Sequence, residues 1–118
     1  MIEKNKDLKE RTFQFAVEII KIVRVLEKST ESNVISFQLA KAGTSIGANY
    51  EESQGTYSKE EFLFKISICL KEVREANYWL RIIEATNMVK NEKIKFLIKE
   101  SEELKNIFGA ILRKKNAK

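Results

Sequence analysis

Residues 41–80 read KAGTSIGANYEESQGTYSKEEFLFKISICLKEVREANYWL, and this stretch decides the fold. A helix rich in small residues, with Gly43 and Gly47 in its interior, is followed by a short turn and a long amphipathic helix. Each interior glycine should destabilise a helix by ~1 kcal/mol relative to alanine. Two of them four residues apart therefore predict a compensating close approach of another helix.

The same stretch contains GTSIG at residues 43–47, which fits the G-x-S-x-G pattern of serine hydrolases. That motif needs a buried strand before the serine and a histidine that accepts its proton. The sequence has no histidine, and the residues before Gly43 are not a β-branched run. An α/β-hydrolase sheet also needs a longer chain than 118 residues. We therefore interpret Ser45 as a helical residue and expect no catalytic residue.

The composition is that of one helical domain over residues 1–118, since the chain has no proline and only four glycines. No apolar run is long enough to span a membrane, and the N-terminus lacks the apolar core of an export signal. The single cysteine, Cys69, excludes an intrachain disulfide and has apolar neighbours. We expect a buried thiol, a cytoplasmic location and no membrane partner.

Apolar residues recur at helical spacing in four segments, at about residues 7–27, 34–53, 59–86 and 92–114. Ser32 or Asn33 is the expected N-cap of the second helix, and Asn91 that of the fourth. Ser58 and Glu61 have the spacing of a capping box before the third. Four helices with short connections predict an all-α, antiparallel up-down-up-down bundle.

Two of these helices have apolar surfaces that are wider than one core needs. A second apolar line on the first helix contains Phe13, Val17 and Ile20, and the third helix adds Trp79 and Ile82 outside its main seam. Such breadth indicates burial on two sides, one of them against another subunit.

Three polar residues, Asn49, Glu52 and Glu72, lie beside the seam between the second and third helices. We interpret them as hydrogen-bonding groups that fix the register of these helices; the alternative is a small polar recognition patch. Trp79 is expected to pack, although Lys71, Arg74 and Arg81 lie near it and an aromatic ring among cations can also stack on bases.

Paired carboxylates are candidate ligands of a di-iron centre, because four-helix bundles often hold one. Glu72 and Glu75, and likewise Glu100 and Glu103, have the spacing but lack the histidine that such sites use. Surface ion pairing with nearby lysine and arginine is the expected alternative. With no phosphate-binding glycine loop either, we expect neither metal nor cofactor.

The formal charge of +5 and a pI near 9.3 allow attraction to nucleic acid. The basic tail at residues 113–118 is explained equally well by a solvated C-terminus. The candidate nucleic-acid contacts are Lys4, Lys6, Lys9, Arg11, Lys21, Arg24, Lys71, Arg74, Arg81, Arg113, Lys114 and Lys115.

The central segment resembles the bacterial "four helix bundle protein" family, whose founding members are encoded in intervening sequences of 23S rRNA genes. The residues that carry the resemblance are GTSIGANY at 43–50, Glu52, Phe62, Lys65, LKE at 70–72 and YWL at 78–80. The resemblance implies an antiparallel four-helix bundle that assembles into a ring-like homopentamer, without a defined set of catalytic residues. The family is also similar to a retroelement accessory protein that has a basic surface and binds nucleic acid. Val34 replaces a proline found in many relatives, at the expected start of the second helix.

These observations support two hypotheses of different classes. The first is an oligomeric protein that binds structured RNA or DNA through basic surface residues. The second is a scaffold that recruits a protein partner through its surplus apolar surface, with nucleic-acid binding incidental.

Overall fold

The computed structural model describes residues 7–116, which form four α-helices and, within that range, no β-strand. The helices are α1 (Leu8–Val25), α2 (Thr30–Ser53), α3 (Lys59–Ala85) and α4 (Lys93–Asn116). Each packs against the next along the chain, and α4 returns beside α1. Among the helices of this range, none is both long and apolar enough to cross a membrane.

Contacts between neighbouring helices show that the bundle is antiparallel, as the sequence predicted. Along α2 and α3, Ile46 is hydrogen-bonded to Cys69, while Glu52 is bonded to Lys65, so the two helices run in opposite directions. The contacts Asn77–Ser101 and Glu84–Lys95 show the same antiparallel arrangement between α3 and α4. Arg11–Glu100 and Glu18–Lys93 contacts do so between α1 and α4.

The predicted start of α2 near Val34 is wrong, because the helix begins four residues earlier at Thr30. Its N-cap is Ser29, whose hydroxyl accepts from the Ser32 amide at 3.1 Å. The Ser32 hydroxyl in turn accepts from the Ser29 amide at 2.9 Å. This reciprocal pair is a capping box in which serine occupies the position usually held by glutamate or glutamine. Ser32 is therefore the third residue of the helix and not its cap.

Ser58 caps α3, although with a different reciprocal bond from the one predicted. The Ser58 hydroxyl accepts from the Glu61 amide at 3.1 Å. The Glu61 carboxylate accepts from the Tyr57 amide at 2.9 Å, and not from that of Ser58. The Asn91 side chain accepts from the Lys93 amide at 2.8 Å at the start of α4.

The core is a single cluster to which all four helices contribute. Phe15 and Ile19 of α1, Leu39 of α2 and Phe108 of α4 are almost wholly buried in it. The Cys69 thiol of α3 is also buried, and burial raises its pKa to about 12. It therefore behaves as a small apolar group, as expected from its neighbours.

The predicted close approach occurs between α2 and α1. A Cβ atom on Gly43 would lie 2.9 Å from both Cγ1 and Cγ2 of Ile19. On Gly47 it would lie 3.1 Å from Oγ1 of Thr12 and 3.4 Å from the Thr12 backbone carbonyl carbon. The two glycines therefore let α1 sit directly on the backbone of α2.

A buried ion pair joins α1 to α4. The Arg11 guanidinium donates to both carboxylate oxygens of Glu100, at 3.0 and 2.8 Å, and to Glu103 at 2.9 Å. Arg11 is 4% exposed and Glu100 is 5% exposed. The hydrogen bonds to Glu100 raise the pKa of Arg11, so the guanidinium stays charged in the folded protein. Glu100 and Glu103, whose spacing suggested a metal site, therefore bind the Arg11 guanidinium.

The three polar residues assigned to the contact between α2 and α3 have different roles. Glu52 forms a 2.7 Å ion pair with Lys65 of α3. The Asn49 amide instead donates to the carbonyl and hydroxyl oxygens of Ser45, one turn earlier in α2. Glu72 lies 3.9 Å from its neighbour Lys71 on α3 itself. The assignment of Asn49 to an interhelical bond is wrong, because its amide is bonded within α2. Glu72 is near a cation of its own helix and, among the described residues, forms no hydrogen bond to α2.

We expect Gly43→Ala to lower the free energy of unfolding by up to ~2 kcal/mol. Overpacking a buried site costs ~1–3 kcal/mol, which the better helix propensity of alanine offsets by only ~1 kcal/mol. Ile19 is fully buried and branched at Cβ, so it cannot swing aside. Urea unfolding followed by circular dichroism, at one fixed protein concentration, measures the change.

Gly109→Ala in α4 is the matched control for this substitution. Its added Cβ would meet only the end of the flexible Arg113 side chain, at 3.4 Å. Alanine should therefore stabilise the protein there by up to ~1 kcal/mol. Equal stabilisation at Gly43 and Gly109 would contradict the close approach of α1.

We expect Arg11→Met to lower the free energy of unfolding by ~3–5 kcal/mol, because it leaves the Glu100 carboxylate buried without its partner. The double variant Arg11→Met/Glu100→Leu removes the buried charge and should recover most of that loss. Lys95→Met is the control: its ion pair with Glu84 is exposed, so no measurable change is expected. The buried-pair account fails if Arg11→Met proves as harmless as Lys95→Met in thermal or urea unfolding.

Candidate nucleic-acid interface

Three of the predicted cations and one aromatic residue form a stripe along the outer face of α3. Lys71, Arg74, Tyr78 and Arg81 follow one another at spacings of three, four and three residues, which places them on one side of the helix. All four are exposed. At 1.5 Å per residue the stripe is ~15 Å long.

Helix α4 adds cations to the same side of the bundle. Ser101 faces α3, since its hydroxyl accepts from the Asn77 amide at 2.8 Å. Lys105 lies one turn beyond Ser101, and Arg74 lies one turn before Asn77 on the antiparallel helix, so the two cations come to the same level. Further along α4, the Arg113 guanidinium folds back towards Gly109. We call Lys71, Arg74, Arg81, Lys105 and Arg113 the basic face.

The charges of the basic face are largely uncompensated. Arg74, Lys105 and Arg113 form no ion pair with any residue between 7 and 116. Lys71 approaches Glu72 only at 3.9 Å, and Arg81 donates to the neutral amide oxygen of Asn77 at 2.8 Å. Cations without carboxylate partners keep their full attraction for an anionic ligand such as a phosphate backbone.

Carboxylates also lie among the cations of the basic face. Glu75 lies one turn after Lys71 on α3, where it accepts from the Trp79 ring nitrogen at 3.1 Å. Glu102 is exposed and precedes Lys105 by one turn on α4, but it forms no salt bridge with it. These carboxylates lower the positive potential locally without cancelling it, because screening by water and salt confines the effect of each to its own surroundings.

The other predicted contacts are not brought together. Arg11 is buried against Glu100, so the prediction that it contacts nucleic acid is wrong. Lys21 lies 3.8 Å from Glu18. Lys9 and Arg24 are exposed but stand fifteen residues apart on α1, ~22 Å along the helix.

Of the predicted contacts near the two ends of the chain, only those at the C-terminal end lie among the described residues. Lys4 and Lys6 lie outside the described residues. Lys114 and Lys115 are exposed at the end of α4, where the Lys115 ammonium lies 5.8 Å from the ring centroid of Phe62. That position over the ring of Phe62 ties Lys115 to the start of α3.

Two features of this surface were missed from the sequence. Lys105 was not selected, because its position beside Arg74 follows only from the pairing of α3 with α4. The aromatic residue considered for base stacking was Trp79, but it is half-buried against the core and donates to Glu75 at 3.1 Å. The neighbouring Tyr78 is the exposed one, and the spacing of Lys71, Arg74 and Arg81 around it was the available signal.

Ser45, the serine of the G-x-S-x-G match, lies inside α2 with no preceding strand. Its hydroxyl accepts from the Asn49 amide at 3.1 Å. Within residues 7–116 no group of three or more cysteine, aspartate or glutamate side chains is placed to hold a metal ion. The basic face is therefore the feature of this surface with the clearest chemistry.

Comparison with known proteins agrees with this architecture. The family model of the 23S rRNA-intervening sequence protein matches residues 4–110. A solved structure of a protein with unknown function from the S23 ribosomal protein family of Bacteroides thetaiotaomicron VPI-5482 is 31% identical, with a TM-score of 0.82. The match covers 90% of this chain and 98% of that one. A search of curated proteins finds no match. From the extent of the family match, the chain belongs to the 23S rRNA-intervening sequence protein family.

Proposed function

We propose that this protein is a non-catalytic, cytoplasmic, oligomeric protein that binds nucleic acid through its basic face. The observation that carries the proposal is the gathering of cations, most of them without a carboxylate partner, on one side of α3 and α4. The name of the family links it to ribosomal RNA genes, so structured RNA is the first ligand to test.

The physical basis of such binding is the neutralisation of phosphates. Each contact between a lysine or arginine and a phosphate releases condensed counterions, so affinity falls as salt rises. The basic face offers up to five such contacts per subunit. Repeating it in an oligomer would multiply the contacts available to one RNA molecule and strengthen binding by avidity.

Assembly is supported by apolar side chains on two different faces. On α1, Phe13 is 57% exposed and lies in line with the half-buried Val17 and Ile20. On α3, Phe64 is 63% exposed and lies in line with Ile68. Two unlike faces favour a head-to-tail contact, which closes into a ring when its rotation permits. The family resemblance implies five subunits.

A protein-interaction scaffold is the second candidate function. It is favoured by Phe37 and Val34 of α2, which are 65% and 56% exposed and lie three residues apart. Apolar surface of this kind commonly marks a protein contact. In this alternative a protein partner occupies α2, and nucleic-acid binding is incidental.

We expect Lys71→Ala/Arg74→Ala/Lys105→Ala to weaken RNA binding at least about tenfold at low salt. The salt dependence should also fall, because each lost phosphate contact reduces the slope of log affinity against log salt by about 0.7–0.9. The probe is a fluorescently labelled RNA hairpin, measured by anisotropy across a salt series. Lys28→Ala/Lys59→Ala/Lys90→Ala removes the same charge at exposed positions outside the basic face and the apolar line of α1, and should change affinity less than about threefold. Equal losses in both triple variants, or no binding by the native protein, would contradict the assignment.

We expect Phe13→Glu to shift the protein from an oligomer towards the 13.7 kDa monomer, because it places a charge in the proposed apolar contact. Size-exclusion chromatography with light scattering measures the mass. Val25→Glu is the matched control, since Val25 is 54% exposed but lies off the line of Phe13, Val17 and Ile20. A native protein of monomeric mass would overturn the proposal of assembly.

A further inference from the structure

Tyr78 occupies the centre of the basic face. It follows Arg74 by four residues and precedes Arg81 by three, so both arginines lie on its side of the helix. Half of its surface is exposed. The Arg81 guanidinium carbon lies 5.8 Å from the ring centroid of Tyr78, within the range of a cation–π contact.

The two arginines are placed to hold phosphates on either side of the ring. Seven residues separate Arg74 from Arg81, which corresponds to ~10 Å along α3. Both side chains are long, and neither is paired with a carboxylate among the described residues. A strand that crosses the helix here can place a base on the side of the ring that Arg81 does not cover, while its flanking phosphates meet the guanidinium groups.

The nucleic acid that fits this arrangement has unpaired bases. In a duplex the faces of the bases are already covered by their neighbours, so an aromatic side chain on a convex helix reaches only backbone and groove. In loops, bulges and single strands the base faces are free to stack on tyrosine.

The same surface carries little means of reading base edges. Asn77 is the nearest side-chain amide, but it donates to Ser101 and accepts from Arg81. Its nitrogen and its oxygen therefore each have a partner within the bundle already. Stacking and phosphate contacts, which tolerate any base, remain available.

We infer that the basic face binds single-stranded segments of nucleic acid, with Tyr78 as the platform on which an unpaired base stacks between Arg74 and Arg81. This inference rests on the proposed nucleic-acid binding and specifies its ligand. It assigns to Tyr78 a role that a merely electrostatic surface would not require.

The test compares a labelled twelve-nucleotide oligouridylate with a twelve-base-pair RNA duplex, using the full chain. Tyr78→Ala and Tyr78→Leu should each weaken oligouridylate binding about tenfold, and Tyr78→Phe less than twofold, because only an aromatic ring can stack. Duplex affinity should stay within twofold in all three. Tyr57→Ala, which removes a tyrosine that is 99% exposed in the loop before α3, is the matched control and should bind like the native protein.

Fluorescence supplies a second readout. The chain has a single tryptophan, and the rings of Trp79 and Tyr78 lie edge to face with centroids 5.2 Å apart. Saturation with oligouridylate should therefore change the tryptophan emission, and saturation with the duplex should change it much less.

The outcomes separate this inference from the proposed function. If Tyr78→Ala binds oligouridylate as tightly as the native protein, or weakens oligouridylate and duplex binding equally, the stacking role is overturned. Nucleic-acid binding by the basic face then stands, provided the Lys71→Ala/Arg74→Ala/Lys105→Ala variant is still impaired. If the native protein binds neither RNA, the proposed function itself is overturned.

Discussion

Close packing of α1 on the backbone of α2 is the constraint on which the rest of this bundle depends. It exists because Gly43 and Gly47 leave no Cβ atoms where Ile19 and Thr12 lie. The glycines are unfavourable for the isolated helix, so packing must compensate for them. With α1 held at this distance, its inner face fills the core, while the line of apolar residues that begins at Phe13 stays on the outside.

The contact of α1 with α4 is of a different kind. It depends on Arg11, which meets Glu100 with two parallel hydrogen bonds and is almost completely buried. An ion pair of this sort adds little net stability compared with an apolar contact, but it penalises any register in which one charge is left alone. The small-residue contact with α2 thus sets the depth of α1, and the ion pair with α4 sets its position along the bundle.

Periodicity was sufficient to predict four helices, their antiparallel order and the close approach at Gly43, because each follows from residues near one another in sequence. The start of α2 was missed because Ser29 and Ser32 cap it without the usual glutamate or glutamine. Arg11 was assigned to the surface because its partner Glu100 lies 89 residues away. Lys105 was missed for the same reason, since its place on the basic face depends on how α4 pairs with α3. Local patterns thus predicted the elements, whereas pairs distant in sequence determined the candidate site.

The orientation of α3 explains why function is sought on its outer side. Its inner face is occupied by core residues such as Cys69, whose raised pKa of about 12 keeps the thiol neutral and unreactive. The side towards α2 is engaged by Lys65, paired with Glu52. The side towards α4 carries the cations of the basic face and the ring of Tyr78, which is half-exposed. Because adjacent positions on a helix point in different directions, Trp79 serves the packing of the bundle, whereas Tyr78 is left free to meet a ligand.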